Sequence, residues 1–498
     1  MPSAELTGST QDAVSQGVVG VLIVLIFALL TLEKTHRVLV VFGAVAVLWA
    51  VTYLTPYRLM SFESTAGALD LNVLFLLAAM MALVGVLKST GVFQWAVAQL
   101  MLRARGKPLL AQRLVAWFTA ILSAFCDNVT TVIFVTPMAT GMSKQLRIRP
   151  VVLLLPMVMA SNIGGTATLI GDPPNIMIGS GAHLSFMDFV INLTVPVILM
   201  MFVLERMSRR TYADDLGETP ADAAVMVDIP PIIDPQLLRW SLAITAGVFI
   251  GFFTHGVTGM PVAVPAVLGA AAALIVQDVL YLRTHRPTAS ERVHGLLGII
   301  EREIEWPTLL FFTFLFIVVG AAVETGLINR IAEGLKWAIA SGGATMGLSP
   351  RGTLLFAALL VLWTSGFLSA LIDNIPYVAV SIPIVAQLTS SMAGDTQVLW
   401  WALSLGACLG GNGTAVGASA NVTTIGLAER DGAHISFIEF TRFGSRVAGA
   451  TLVVSSLFVA SHIFLGARAT FWSGLGLIAI ILLVRFLAPA RPVLAAAR

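Results

Sequence analysis

Two aspartates stand inside apolar runs, where a charge is costly: Asp127 in SAFCDNVT at 123–130 and Asp373 in SALIDNIP at 369–376. An asparagine follows each, Asn128 and Asn374. A carboxylate at mid-membrane costs roughly 2.5–3.5 kcal/mol on insertion scales, so it is kept solvated by a cavity, paired or protonated. A carboxyl in such a place is suited to taking up and releasing protons. Asparagine adds donors and an acceptor, and Thr130 adds a hydroxyl. The pattern points to ion or substrate coordination with Asp127 and Asp373 as the proton-coupling groups. Asp-Asn is also a good helix N-cap, and the two roles are compatible.

A second polar interruption follows each aspartate, SNIGGTATLIGDPPNI at 161–176 and ACLGGNGTAVGASANV at 407–422. Gly164, Gly165, Gly410 and Gly411, with Pro173 and Pro174 in the first copy, prevent a continuous helix. A broken helix exposes unpaired N–H and C=O groups and a positive dipole end. Asn162, Thr166, Thr168 and Asn175 are expected to line one site, and Asn412, Thr414, Ser419 and Asn421 the other. Helix packing through small residues is the alternative reading of the glycines. The copies differ at Asp172/Ala418, Asn162/Cys408 and Thr130/Pro376, so the two sites are not equivalent and the first is richer in polar groups.

The elements that position these residues are duplicated. A gapless shift of 246 residues carries Trp117 to Trp363, Ser123 to Ser369, Asp127 to Asp373, Gly164 to Gly410, Thr168 to Thr414 and Asn175 to Asn421. GAHLSFMDF at 181–189 then returns as GAHISFIEF at 432–440, five residues out of step with that shift. Asp70, Thr90 and Gly91 match Glu305, Thr325 and Gly326 at a shift of 235. Matching polar interruptions in two hydrophobic halves are the signature of a transporter binding site.

Of 498 residues, 57% are hydrophobic and 11% charged, far below the share of about 25% charged residues in soluble domains. The chain is read as an all-α polytopic membrane protein of about 11 transmembrane helices in two inverted-topology repeats. Each repeat holds a re-entrant hairpin (109–143 and 352–390) and a discontinuous helix (150–180 and 397–428). An N-terminal tail at 1–16 precedes a first membrane repeat at 17–205, a cytoplasmic linker at 206–237 and a second repeat at 238–498. With the N-terminus outside, Arg103, Arg105, Lys107, Lys144, Arg147, Arg149, Arg206, Arg209, Arg210, Arg442 and Arg446 gather in the cytoplasm. The outside keeps Arg58, Arg330, Lys336, Arg351 and Arg468, which is the positive-inside pattern of a multi-pass protein of the cytoplasmic (inner) membrane. The same threading brings the first hairpin in from the cytoplasm and the second from outside.

A net charge of +2 without a continuous basic patch argues against nucleic acid as a partner. Two cysteines, Cys126 and Cys408, exclude a disulfide framework and read as small packing residues. His183 and His434 fall near the membrane surface and read as structural. No metal site, cofactor or enzymatic chemistry is expected.

With these residues in hand, the chain resembles the ArsB/NhaD branch of the ion transporter superfamily. That branch includes arsenite efflux permeases, NhaD-type sodium/proton antiporters and P-protein-like members. It is more distantly similar to the divalent anion/sodium symporters and citrate permeases. DNVTT at 127–131 and GGTATLIGDPPN at 164–175 carry the resemblance, which extends from about residue 17 to the C-terminus. It implies eleven or so helices, two hairpins, scaffold and transport subdomains, and often a homodimer. By the resemblance, Asp127, Asn128 and Thr130 form the first tip motif, and Gly164, Gly165, Thr168 and Asn175 the first break. Asp373, Asn374, Gly410, Gly411, Asn412, Thr414 and Asn421 form the second pair. Sodium-coupled carboxylate carriers resemble Ser-Asn-Thr at these tips; Asp in both tips favours proton coupling and speaks against a dicarboxylate.

The leading expectation is proton-driven export of arsenite or antimonite, conferring arsenical resistance. Sodium/proton antiport is the runner-up, and carriage of a carboxylate or other anion is third. A passive channel is the alternative from another class, against which the inverted repeats and broken helices speak. No GxxxxGKS motif occurs, so ATP-driven transport needs a separate ATPase subunit, a partner that arsenite permeases of this family can take.

Overall fold

The computed structural model describes residues 12–32, 34–217, 230–284 and 300–487. Most of the expected tail at 1–16 and the middle of the linker at 206–237 lie outside them. Among the described residues the chain is helical throughout.

The first repeat runs α1 (Ala13–Leu32), α2 (Arg37–Leu54), α3 (Thr65–Ala68), α4 (Leu71–Ser89) and α5 (Val92–Ala104). A hairpin of α6 (Pro108–Ser123) and α7 (Asn128–Gln145) follows, then a helix broken into α8 (Val151–Gly165) and α9 (Pro173–Ala182), then α10 (Phe186–Thr211) and the short α11 (Ala213–Gly217). The second repeat runs α12 (Pro235–Thr258), α13 (Ala263–Thr284), α14 (Trp306–Glu324) and α15 (Leu327–Thr345). Its hairpin is α16 (Pro350–Leu371) and α17 (Asn374–Ser391), its broken helix α18 (Val398–Gly410) and α19 (Ser419–Arg430), and α20 (Phe437–Leu465) and α21 (Ala467–Leu487) close the chain.

The eleven expected crossings are nine continuous helices and the two broken ones. Ten described helices are long and apolar enough to cross a membrane: those nine and α16, the first arm of the second hairpin. Two further helices, α5 and α15, lie just before the hairpins, where no span was expected. Gly91 and Gly326 open them in left-handed backbone, at φ 79° and 75°, a conformation glycine adopts without a Cβ clash. Their starts, Val92 and Leu327, obey the shift of 235 that relates Asp70 to Glu305.

Bonds between elements sort the loops onto two faces. On one face Lys88 pairs with Glu303 (2.8 Å), Arg149 with Asp215 (2.8 Å), and Lys144 Nζ donates to the Asp431 carbonyl (2.8 Å). On the other, the Phe186 amide donates to His255 Nε2 (3.0 Å), the Ala263 amide to Asn72 Oδ1 (3.0 Å), and His462 meets Asp395 (3.1 Å). The arginine- and lysine-rich loops gather on the first, here the basic face. The first hairpin enters from that face and the second from the opposite one, so the repeats are inverted.

The two repeats interlock in a central core. In each, the first hairpin arm runs along the first half of the broken helix, α6 on α8 and α16 on α18. The returning arm packs on the second half of the other repeat's broken helix, α7 on α19 and α17 on α9. Around this core stand α2 on α14, α4 on α13 with α12, and α10 and α20 on α8 and α18. Glycine permits the closest approaches. A Cβ on Gly164 would meet the Ala120 carbonyl oxygen at 2.2 Å, and one on Gly410 the Gly366 carbonyl oxygen at 2.3 Å. These contacts are the same contact, repeated at the shift of 246.

Candidate functional site

The aspartates turn both hairpins. Asp127 is the N-cap of α7, its Oδ1 accepting the Thr130 amide (2.8 Å), and Asp373 caps α17, its Oδ1 accepting the Ile375 amide (3.1 Å). Each carboxylate thus satisfies a backbone donor that a helix start leaves open and sits against its positive dipole end. In both, Oδ1 makes the cap. Asp373 Oδ2 accepts the Ser419 hydroxyl at 2.6 Å.

Four helix starts converge on one small cavity of about 30 Å³. Asp127, Asn128 and Val129 reach it from α7, Asn374 and Ile375 from α17, Asp172 and Pro173 from α9, and Ala418, Ser419 and Ala420 from α19. Leu77, Met81, Arg37, Glu305 and Thr308 close it from α4, α2 and α14. Three of the four starts already carry a carboxylate at the N-cap: Asp127, Asp172 and Asp373. Asn374 Nδ2 lies 3.5 Å from Asp172 Oδ2 and so links the second tip to the first break. With Glu305, three carboxylates line the cavity and Asp373 stands one hydroxyl behind; Arg37 is the one lining cation among the described residues.

Asp127, Asn128, Asn374 and Ser419 of the expected site residues line the cavity, and Asp373 adjoins it. The other expected break residues stand behind it, where they complete the backbone hydrogen bonding that the breaks leave open. Asn175 Nδ2 donates to the carbonyls of Thr166 (3.1 Å) and Thr168 (2.9 Å) and lies 3.5 Å from that of Gly165; Asn421 Nδ2 donates to those of Gly411 (2.8 Å) and Thr414 (3.0 Å). Thr168 Oγ1 ties the first break to the Ala124 carbonyl, and Thr414 Oγ1 ties the second to the Ala370 carbonyl, both at 2.5 Å. Asn162 joins the copies, its Nδ2 reaching Asn412 Oδ1 (2.8 Å) and Asn421 Oδ1 (3.1 Å), while its Oδ1 accepts from Asn128 Nδ2 (3.3 Å). Ser123 Oγ donates to Asn128 Oδ1 and meets Ser161 Oγ at 3.1 Å. The amide of Asn128 is therefore held on both sides while its residue lines the cavity. A Cβ on Gly165 would stand 2.3 Å from Asn128 Oδ1, so this glycine makes room for the tip.

Cys126 and Cys408 are buried and neither lines the cavity. Cys408 Sγ contacts Asn175 Oδ1 at 3.7 Å, and that oxygen also accepts the Ser404 hydroxyl at 2.6 Å. His183 caps the end of α9 in left-handed backbone, and His434 is exposed beside Glu429 at 3.4 Å. Among the described residues no cluster of His, Cys, Asp or Glu is built to hold a metal ion.

Arg37, Thr308 and Glu305 enter the site without a motif. Glu305 carried one signal, its repeat relation to Asp70; Arg37 carried none, being the first residue of a helix 90 residues before the first tip.

Comparison with known proteins agrees with this architecture. Residues 27–406 match the family described as CitMHS, citrate transporter. An uncharacterized transporter of Mycobacterium tuberculosis is 37% identical over 437 residues, covering 87% of this chain and 95% of its own length. A 46 kDa membrane protein of Mycobacterium leprae is 37% identical over 439 residues, with the same coverage of 87% and 95%. The human P protein is 30% identical over 521 residues, spanning 89% of this chain and 59% of its own length. The solved YdaH transporter of Alcanivorax borkumensis, whose topology is described as unusual, superposes with a TM-score of 0.56 at 15% identity, over 91% of this chain and 98% of that one. That likeness is one of fold.

Proposed function

The chain belongs to the citrate transporter family and is a secondary transporter, and from that premise we propose that it exchanges protons for a small inorganic ion at the tip cavity. Asp127 and Asp373 are the proton-exchanging groups. Asn128, Asn374 and Ser419 supply neutral ligands.

The observation that carries this reading is the charge inventory of the cavity. Asp127, Asp172 and Glu305 line it, with Asp373 behind Ser419, against Arg37 alone. The carboxylates do not close into a metal-binding cluster, so such an enclosure suits a proton, or a sodium ion held by one carboxylate with neutral oxygens, in competition. The positive ends of α7, α9 and α17 are matched by their own aspartates, which leaves them little field for a free tricarboxylate. The volume of about 30 Å³ points the same way, since a water needs roughly 10–15 Å³ on this measure. Sodium/proton antiport is the first reading on these grounds.

Export of arsenite or antimonite is the second, favoured by the amides and hydroxyls of Asn128, Asn374, Thr308 and Ser419, which suit an uncharged trihydroxide. In that reading too the thiols stand aside, Cys408 facing Asn175. Both readings place the chain in the cytoplasmic membrane with its basic face inward, as the loop charges support. A homodimer, and an ATPase subunit in the arsenite case, are the partners that go with them.

Recordings of a pH-sensitive dye in proteoliposomes, with Na⁺, arsenite and citrate added singly, test the proposal. Proton movement on adding Na⁺ or arsenite supports it and chooses between its readings. Movement on adding citrate alone refutes it.

A further inference from the structure

Arg37 joins two carboxylates that belong to different parts of the molecule. Its Nη1 donates to Ser419 Oγ at 3.1 Å and its Nη2 to Thr308 Oγ1 at 2.7 Å. Each hydroxyl passes its own proton onward, Ser419 to Asp373 Oδ2 at 2.6 Å and Thr308 to Glu305 Oε2 at 2.9 Å. The guanidinium carbon lies 5.5 Å from the centre of the Phe311 ring. One planar cation thus bridges the core, through Asp373 and Ser419, to the surrounding helices α2 and α14. A lysine ammonium has no such fork.

The inverted repeat supplies the comparison. Helices α4 and α14 are equivalent, each of 19 residues and each begun by an acidic N-cap, Asp70 or Glu305. Their neighbours α13 and α2 correspond by packing, since α13 lies on α4 and α2 on α14. On the face opposite the basic one, α13 begins with Ala263 where α2 begins with Arg37, and the Ala263 amide donates to Asn72 Oδ1. Asp70 caps its own helix there through the Val73 amide at 3.1 Å. Among the described residues no side-chain cation is bonded to Asp70 or lines the cavity beside it.

The core sits unequally between the two faces. The start of α14 meets the first residue of α19, Ser419, through Arg37 and Thr308. The start of α4 meets the eighth residue of α9, Ser180, whose Oγ is 3.5 Å from Asn72 Nδ2. Pro173 and Ser419 are equivalent, so the mirror arrangement brings Pro173 to Asp70, about 10 Å along a helix from the present contact. A cavity of about 630 Å³ borders that path, lined by Asp70, Met177, Gly181 and Ile382 among others.

We propose that Arg37 is a positioning residue that fastens the core on the basic face in the state seen here. Because no described residue matches it on the opposite face, it makes the two end states of the carrier unequal. A contact made in one state alone shifts the equilibrium between them. This rests on the reading of the chain as a carrier whose two halves exchange roles, but not on which ion it carries.

The test needs no cargo. In oriented vesicles, Val129→Cys reports which face the cavity opens to by reaction with a membrane-impermeant maleimide, and Asn72→Cys with Ser180→Cys reports the present core position by cross-linking. The native cysteines are buried and can stay. Arg37→Ala should raise labelling of Val129→Cys from the opposite face about tenfold, the effect of one charge-assisted hydrogen bond, and lower the cross-linking yield. Arg37→Lys should fall between. Thr308→Ala removes half of the bridge without removing the charge and should shift both readouts in the same direction, which covers the case of an Arg37→Ala protein that does not reconstitute. Unchanged labelling and cross-linking in the variants that reconstitute would overturn the proposal. Failure of proton exchange alongside a normal shift would count against the proposed cargo coupling and leave this inference standing.

Discussion

Asn162 donates its side-chain amide to Asn421 Oδ1 at 3.1 Å, across the meeting point of the two broken helices. The equivalent position in the other repeat, Cys408, contacts Asn175 Oδ1 at 3.7 Å. The two contacts are one relationship in two chemistries, a strong amide bond on one side and a weak thiol contact on the other. Asn175 and Asn421 each bind the carbonyls of their own break with Nδ2 and receive the partner repeat on Oδ1. They hold both breaks open and join them.

Asn421→Ala should therefore act on the fold first. It removes bonds to the buried Gly411 carbonyl and the half-buried Thr414 carbonyl and leaves both with fewer partners. A loss of about 1–3 kcal/mol is expected, the cost of leaving one buried group unsatisfied. Thermal unfolding in detergent, monitored through tryptophan fluorescence, should show a clearly lower midpoint. An unchanged midpoint would remove Asn421 from this role.

Glycine substitutions should divide by place. Gly164→Ala and Gly410→Ala each force a methyl group onto an opposing carbonyl, and about 1–3 kcal/mol should be lost in each. Gly141→Ala, in α7 with nothing within 4 Å of its added Cβ, should be neutral or stabilising by roughly 0.4–1 kcal/mol. Equal melting temperatures for the three variants would contradict the close approach of α6 to α8.

Helix α21 is nearly unburied along its span and is tied at its last turn. Arg485 Nη1 pairs with Glu205 at 2.8 Å and stacks over Phe202 at 4.5 Å, and Glu205 also pairs with Arg113 at 2.6 Å. Glu205→Gln should free the end of α21, because one buried carboxylate holds two cations. Limited proteolysis should then cut near residue 485 faster than in the parent while the core digests at the same rate. Equal rates at both places would show that lipid contact alone holds this helix.

Much of this arrangement is legible in the chain because the repeat shift of 246 has no gap through the tips and breaks. Asp127 and Asp373 announce themselves as charges in apolar runs, and the glycine pairs announce the breaks. What the matched asparagines do is harder to read, since an asparagine at a break serves cargo or backbone equally well in a sequence. Only the geometry shows that Asn175 and Asn421 are committed to carbonyls. Arg37 and Glu305 look like ordinary helix-end charges at a membrane surface; inversion of the repeat, together with the position of the core, brings them to the cavity. The helices α5 and α15 do not read as spans because α5 has only 13 residues and α15, at 19, carries Arg330, Glu333 and Lys336, although the Gly91/Gly326 match marks their starts.

The most direct test of the central claim is counterflow of the responding ion in proteoliposomes under an imposed pH gradient, comparing the parent with Asp127→Asn and Asp373→Asn. Gradient-driven uptake by the parent should collapse to the passive rate in both variants, while their melting temperatures stay near the parent's because asparagine still caps α7 and α17. Full gradient-driven uptake in both variants would contradict that claim.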